Sequence, residues 1–180
     1  MANGPTRPSS GAVVQHLVLR VRDLEASHRF YTHVLGFEQC GNITRPGVDM
    51  RFYRADENHH HDLALCQLVA ESAPSIETPW RMFGTTPGID HIAIAYPNRQ
   101  AWLDQVAWMR AEGVEFHVRG DHGMTHSVYV SDPDGNGIEV LYDLPQEVWG
   151  GNVNAALNYF EPKDLDGPEA TSDDTDYVRF

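Results

Sequence analysis

The 180 residues suffice for one well-buried core, or for two small modules that share one, and are too few for a multidomain enzyme. Hydrophobic residues make up 41% and charged residues 22% of the chain, an ordinary soluble composition, and no apolar run reaches the roughly 20 residues of a membrane span. With 13 Lys and Arg against 26 Asp and Glu, the formal charge is −13; this repels phosphate backbones and anionic membrane surfaces, so neither nucleic acid nor a membrane is expected as a partner.

Residues 1–11 contain no apolar signal-peptide core and read as the flexible leader of a cytoplasmic protein. VVQHLVLRV at 13–21 reads as a strand. In DLEASHRFYTHVLGF, Leu24, Phe30, Tyr31, Val34 and Leu35 recur at helical spacing, with Asp23 as N-cap and Gly36 as the stop. FEQCGNI at 37–43, VDMRFYRA at 48–55 and HDLALCQLV at 61–69 read as three strands. The connection at 71–87 is long for a compact domain and suits a rim or lid. The same order then returns. IDHIAIAY is followed by the helical AWLDQVAWMRAEG, with Trp102, Leu103, Val106 and Met109 on one face and Gly113 behind it, and then by the strands VEFHVRG, HSVYVSD and GIEVLYD. Beyond Asp143 a short helix is expected at 152–159, and Trp149, Leu157, Tyr159 and Phe160 suggest that this part packs down; an acidic tail follows, in which residues 164–180 either wrap a surface or a neighbouring subunit or stay disordered. Cys40 and Cys66 lack CxxC pairing and read as buried free thiols.

Strand, helix and three strands thus occur twice, in 12–70 and 88–143, and the 75-residue offset from His16 to His91 marks an internal repeat. The expected fold is α+β, with two βαβββ modules in one domain over 12–143, joined by the loop 71–87 and followed by a C-terminal extension at 144–180.

A lone histidine on an apolar strand is ordinarily a satisfied core residue. His16 and His91, however, occupy matching positions of the repeat, and matching positions meet across its pseudo-symmetry axis. Matching DLALC with GIEVL sets Ala64 against Glu139, so three ligands occupy a four-position arrangement. Two imidazoles and one carboxylate leave a metal open on one face, which suits Fe(II) binding substrate and O2 together. Mn(II) fits the same ligands, and Zn(II) takes two histidines, a glutamate and water. His61, three residues before Ala64, falls at the cavity edge. DPDGN at 132–136 reads as a turn and lacks the spacing of a calcium loop. No GxGxxG lies between a strand and a helix, so nucleotide binding has no support.

QHLVLRVRDLEASHRFYTHVLGF, GIDHIAIAY and YVSDPDGNGIEVL resemble the vicinal oxygen chelate, or glyoxalase-like, superfamily over residues 12–143. HHDLAL, His122 and Tyr129 resemble, more narrowly, its type I extradiol ring-cleavage dioxygenases in single-domain form. The resemblance implies a curved mixed sheet around a metal cavity, with His16, His91 and Glu139 as iron ligands and His61, His122 and Tyr129 as catalytic groups. The segment from His122 to Tyr129 is short for that family, which makes His126 a second candidate. The implied reaction is cleavage of a catechol-type ring by O2 at non-haem Fe(II), or alternatively Mn(II), in a homodimer or higher symmetric form. His61 would stabilise bound oxygen and move a proton, Tyr129 would hydrogen-bond a substrate oxygen, and His122 would hold the substrate. Phe52, Trp80, Met82 and Phe83 are candidates for ring contacts. The alternatives are another metal-dependent member of the superfamily (an isomerase, lyase or glyoxalase-like enzyme) or a non-catalytic protein that sequesters a small aromatic.

Overall fold

The computed structural model describes residues 14–67, 80–82, 88–166, 172–173 and 176–180. The leader, Phe83 and most of the expected lid lie outside the described residues. The first module runs β1 (Leu17–Val21), α1 (Leu24–Arg29, prolonged by a π turn over Phe30–Val34), β2 (Glu38–Arg45), β3 (Val48–Arg54) and β4 (Leu63–Gln67). The second runs β5 (His91–Ala95), α2 (Arg99–Ala111), β6 (Val118–Asp121), β7 (Thr125–Ser131) and β8 (Gly137–Asp143). Short helices α3 (Gln146–Trp149) and α4 (Val153–Leu157) and the two-residue strand β9 (Glu161–Pro162) follow.

The repeat extends to the hydrogen-bond register. The first sheet has the order β1-β4-β3-β2 and the second β5-β8-β7-β6-β9, so each module pairs its first strand parallel to its last. Leu17 faces Leu63 and Val18 faces Ala64; adding 75 to each number gives the observed pairs Ile92 with Ile138 and Ala93 with Glu139. Ala64 therefore holds the place in the first sheet that Glu139 holds in the second. The two ladders form a paired βαβββ architecture of the vicinal oxygen chelate, glyoxalase-like type.

Local sequence explains the helix ends. The Asp23 carboxylate accepts from the backbone N–H groups of Glu25 and Ala26 at 3.0 Å, and Gly36 ends the helical segment at φ +83°. The helical pattern over 24–35 predicts one continuous α-helix, whereas its second half widens into a π turn closed by Leu35 N–H on the Phe30 carbonyl at 3.0 Å. Thr32 Oγ1 donates to the His28 carbonyl at 2.7 Å, so a side chain takes part of the acceptor capacity of the normal helical ladder.

The modules are joined by polar contacts that cross the repeat. Carbonyls at the end of a helix have no partner within it. Here those of His33, Val34 and Leu35 accept from Trp108 Nε1 (3.0 Å), Gln105 Nε2 (2.7 Å) and Tyr96 Oη (2.9 Å) of the second module. The DPDGN turn points back the other way. Buried Asp132 accepts from Tyr31 Oη at 2.9 Å, while Asp134 takes Arg22 Nε at 2.8 Å and Ser27 Oγ at 3.1 Å. Burial raises the Asp132 pKa despite its donors.

Trp102, Val106 and Met109 of α2 are buried, and Leu103 packs at the edge of the same core. Trp102 Nε1 donates to the Val140 carbonyl at 2.9 Å, whereas Trp108 is 40% exposed. The expectation of buried thiols fails for Cys40, which is exposed. The register of β2 shifts between Gln39 and Gly41, leaving Cys40 as the unpaired bulge residue on an outer strand. Among the described residues no helix is long and apolar enough to cross a membrane.

Candidate active site

Glu139 is central to the site. It lies on β8 directly opposite Tyr129 of β7, on the same face of the second sheet, and is buried, at 7% exposure. Its Oε1 accepts from Tyr129 Oη at 2.8 Å and from Ser127 Oγ at 2.7 Å, both from β7. Its Oε2 lies 3.2 Å from His91 Nε2 on β5. A buried carboxylate is costly unless donors or a cation surround it, and this one has two hydroxyls on one oxygen and an imidazole at the other. His122, in the turn between β6 and β7, extends the chain of contacts with its Nε2 3.1 Å from Tyr129 Oη. Burial lowers the His122 pKa and keeps the ring neutral, and burial, then the Glu139 carboxylate, raises the Tyr129 phenol. Tyr129 thus remains a hydrogen-bond donor at neutral pH.

His126 does not join this group. It lies three positions before Tyr129 on β7 and so projects from the opposite face of the sheet. There its Nδ1 is 2.7 Å from Asp173 and its Nε2 3.4 Å from Asp121. Of the two histidine candidates near Tyr129, the structure brings His122 to the phenol.

The first module supplies the other wall. His16 sits one residue ahead of β1, and its ring packs against that of His61 with centroids 4.5 Å apart. His61 also meets Phe52 at 5.1 Å, and its Nδ1 lies 2.6 Å from His60 Nδ1. Burial lowers the His61 pKa, and the neighbouring imidazoles of His60 and His16 lower it further, so His61 is a neutral ring able to accept a proton. His59, by contrast, bonds Asp62 at 2.5 Å in an exposed turn.

His16 and His91 line one open cleft of about 370 Å3, together with Gln15, Asp62 and Ile89. Of the three expected ligands, the structure places His91 and Glu139 in contact, and His16 lines one cleft with His91. Among the described residues, no three such groups are gathered around one point.

The donor chemistry nevertheless fits a divalent cation. A ligating histidine generally uses one ring nitrogen for the metal while the other donates to a carboxylate or carbonyl that orients it. His91 Nδ1 is held by Asp90 Oδ1 at 2.8 Å, which leaves Nε2 facing Glu139. His16 Nδ1 is held in the same way by the Gln15 side-chain oxygen. The repeat therefore copies the support together with the ligand. Gln15, Asp90 and Ser127 were not singled out in the sequence, although Gln15 and Asp90 each immediately precede a candidate ligand at the 75-residue offset, and Ser127 shares a strand face with Tyr129.

Two aromatic groups border the second half of the site. Trp80 stacks on Tyr129, with centroids 5.7 Å apart and planes 8° from parallel, and its Nε1 donates to the Asp90 carbonyl at 2.5 Å. Only glycine at 137 allows this approach, because a Cβ there would lie 2.1 Å from Trp80 Nε1. Phe160, from the segment after α4, lies 5.0 Å from the His122 ring.

Paired βαβββ modules, with His16 and His91 at matching places on one cleft and the buried Glu139 against His91, define a glyoxalase-like class of fold. The sequence model of the Glyoxalase/Bleomycin resistance protein/Dioxygenase superfamily matches residues 13–140, and the chain belongs to that superfamily. It is 30% identical over 131 residues to a catechol-2,3-dioxygenase of Bacillus subtilis, covering 73% of this chain and 41% of the relative. It is 33% identical over 128 residues to biphenyl-2,3-diol 1,2-dioxygenase 3 of Rhodococcus globerulus, covering 71% and 62%. The chain thus spans less than two thirds of the length of these relatives. A lactoylglutathione lyase of Pseudomonas putida is 28% identical over 154 residues, covering 74% of this chain and 86% of the lyase. A solved glyoxylase/bleomycin resistance protein/dioxygenase domain from Frankia sp. EAN1pec shares the fold, with TM-score 0.57 and 18% identity over 75% of this chain and 100% of its own.

Proposed function

We propose that this chain is a metal-dependent enzyme of the superfamily, and within it an extradiol dioxygenase that opens the ring of a catechol-type substrate with O2. The observation that supports this reading is the chain of contacts His91–Glu139–Tyr129–His122, whose His91 end lines one open cleft with His16, against which the neutral His61 ring packs. His16, His91 and Glu139 would hold the cation, Fe(II) or alternatively Mn(II). When bound, it would supply Lewis-acid binding of two neighbouring oxygens and, as Fe(II), electron transfer between ring and O2.

This chain's own residues account for the rest. Neutral His61 accepts a proton from a substrate hydroxyl at the cleft edge. Tyr129, kept protonated, has its hydroxyl at the junction of Glu139 and His122, where it can bond a substrate oxygen; His122 completes the support on the side away from Glu139. Trp80, stacked on Tyr129, and Phe52, edge-on to His61, add aromatic surface beside the proposed catalytic groups, which suits an aromatic substrate.

Similarity to a lactoylglutathione lyase favours a second reading, in which the same ligands support proton transfer next to a carbonyl without O2. Anaerobic reconstitution with Fe(II), followed by oxygen-electrode and absorbance assays on a catechol panel, separates the two. Oxygen uptake with a yellow ring-fission product is expected. Hemithioacetal turnover without oxygen uptake would transfer the assignment to the lyase reading.

A further inference from the structure

The turn that carries His122 is gripped by residues beyond the family-matched region, which ends at 140. β9 adds to the edge of β6, pairing Gly120 with Pro162 and Asp121 with Glu161, and Lys163 N–H donates to the Arg119 carbonyl at 2.9 Å. This pairing sets Phe160 over the turn. Its ring lies 5.0 Å from the His122 ring, with planes 46° apart, and is 47% exposed. A Cβ at position 120 would fall 2.3 Å from Phe160 Cε2 and 2.9 Å from Cζ, so the ring fits there only because residue 120 is glycine. Gly123, on the other side of His122, has φ +73°, and a Cβ there would lie 2.7 Å from Phe180 Cε2. Phe180 is itself anchored by its N–H on the Val148 carbonyl at 2.9 Å. His122 thus stands between two glycines, each closely covered by an aromatic ring from the C-terminal segment.

We infer that Phe160 is a positioning residue for the reaction: it packs on the His122 ring and holds it against the Tyr129 hydroxyl, so that the C-terminal segment completes the active site. The inference rests on the dioxygenase reading for its effect on turnover, but the placement of His122 can be tested without turnover. A ring held loosely loses alignment with its partner, and misplacement by about 1 Å in a catalytic constellation costs up to roughly a hundredfold in rate.

The test uses Phe160→Ala, Phe160→Leu and Gly120→Ala in the full chain. Gly120→Ala leaves Phe160 present but denies it its seat. The first readout is the His122 ring resonances in histidine-labelled protein, assigned with His122→Gln. They are expected to shift alike in Phe160→Ala and Gly120→Ala, and to return most of the way in Phe160→Leu. The second readout is steady-state kinetics with 2,3-dihydroxybiphenyl and catechol after Fe(II) loading. A fall in kcat of roughly ten- to a hundredfold is expected in Phe160→Ala and Gly120→Ala, with the double variant no worse than either alone. Unmoved His122 resonances in a folded Phe160→Ala protein would overturn the inference, as would additive losses in the double variant. If the wild-type protein turns over neither diol, the dioxygenase reading fails, and the His122 resonances alone decide the placement.

Discussion

Asp90 Oδ1 lies 2.8 Å from His91 Nδ1, and Gln15 holds His16 by the same ring nitrogen 75 positions earlier. Each candidate ligand is thereby oriented by the residue directly before it, a carboxylate in one module and an amide in the other. The carboxylate holds the His91 ring with a charge-assisted hydrogen bond, stronger than the neutral amide's hold on His16. Asp90→Asn is therefore expected to weaken divalent-cation binding by roughly 10- to 100-fold, and Gln15→Ala by less. Titration with Mn(II) followed by electron paramagnetic resonance measures both. Equal affinity in wild type and Asp90→Asn would remove Asp90 from the site.

Glu139 is a buried carboxylate whose second oxygen faces the His91 ring. Glu139→Gln keeps an acceptor for Ser127 and Tyr129 but removes the charge at the oxygen facing His91. Cation binding is expected to fall by at least about a hundredfold, because a neutral amide is a poor ligand, while the melting temperature stays within a few degrees. Calorimetric titration and thermal unfolding on the same samples separate loss of a ligand from loss of fold.

The contacts between modules should be separable from the site. Tyr96 Oη caps the Leu35 carbonyl at the end of the π turn, 61 positions away. Tyr96→Phe removes that donor and keeps the ring, so a loss of about 1 kcal/mol in urea unfolding is expected, with cation affinity unchanged.

These contacts also mark how far the sequence alone could be read. Apolar periodicity and the 75-residue offset of His16 and His91 carry the βαβββ repeat, and the register pairs Leu17–Leu63 and Ile92–Ile138 repeat at the same offset. Asp23 and Gly36 announce a helix because capping is local chemistry. The ties from Asp132 to Tyr31 and from Asp134 to Ser27 span 101 and 107 positions. In sequence those aspartates satisfy the turn motif DPDGN and give no sign of a second partner. The π turn was hidden for a related reason, since the Leu35 N–H to Phe30 carbonyl bond that defines it is between backbone groups and leaves the apolar pattern of a helix unchanged. The seat of Phe160 over Gly120 depends on a two-residue strand too short for any periodicity.

His126 supplies the last prediction, on the face of the sheet away from the cleft. Its two ring nitrogens face Asp173 and Asp121, Tyr142 Oη donates to Asp173 at 2.6 Å, and Arg99 and Arg119 approach the same carboxylate at 3.2 and 4.0 Å. Burial opposes the charge on His126, but the Asp121 and Asp173 carboxylates at its two ring nitrogens outweigh it and push the pKa up to about 9. A group whose pKa rises on folding gives stability that is fully present below its unfolded pKa, about 6.5, and lost as pH climbs through the folded one. His126→Gln removes the charge and leaves Asp121 and Asp173 facing each other across a neutral amide. Breaking a buried pair of this kind costs about 3–5 kcal/mol, so at pH 6 the variant should be less stable than wild type by about that amount. The gap should narrow between pH 6.5 and 9 and largely close above it. Urea unfolding of both proteins at pH 6, 7.5 and 9.5 measures it, and a gap independent of pH would mean that His126 acts by packing alone.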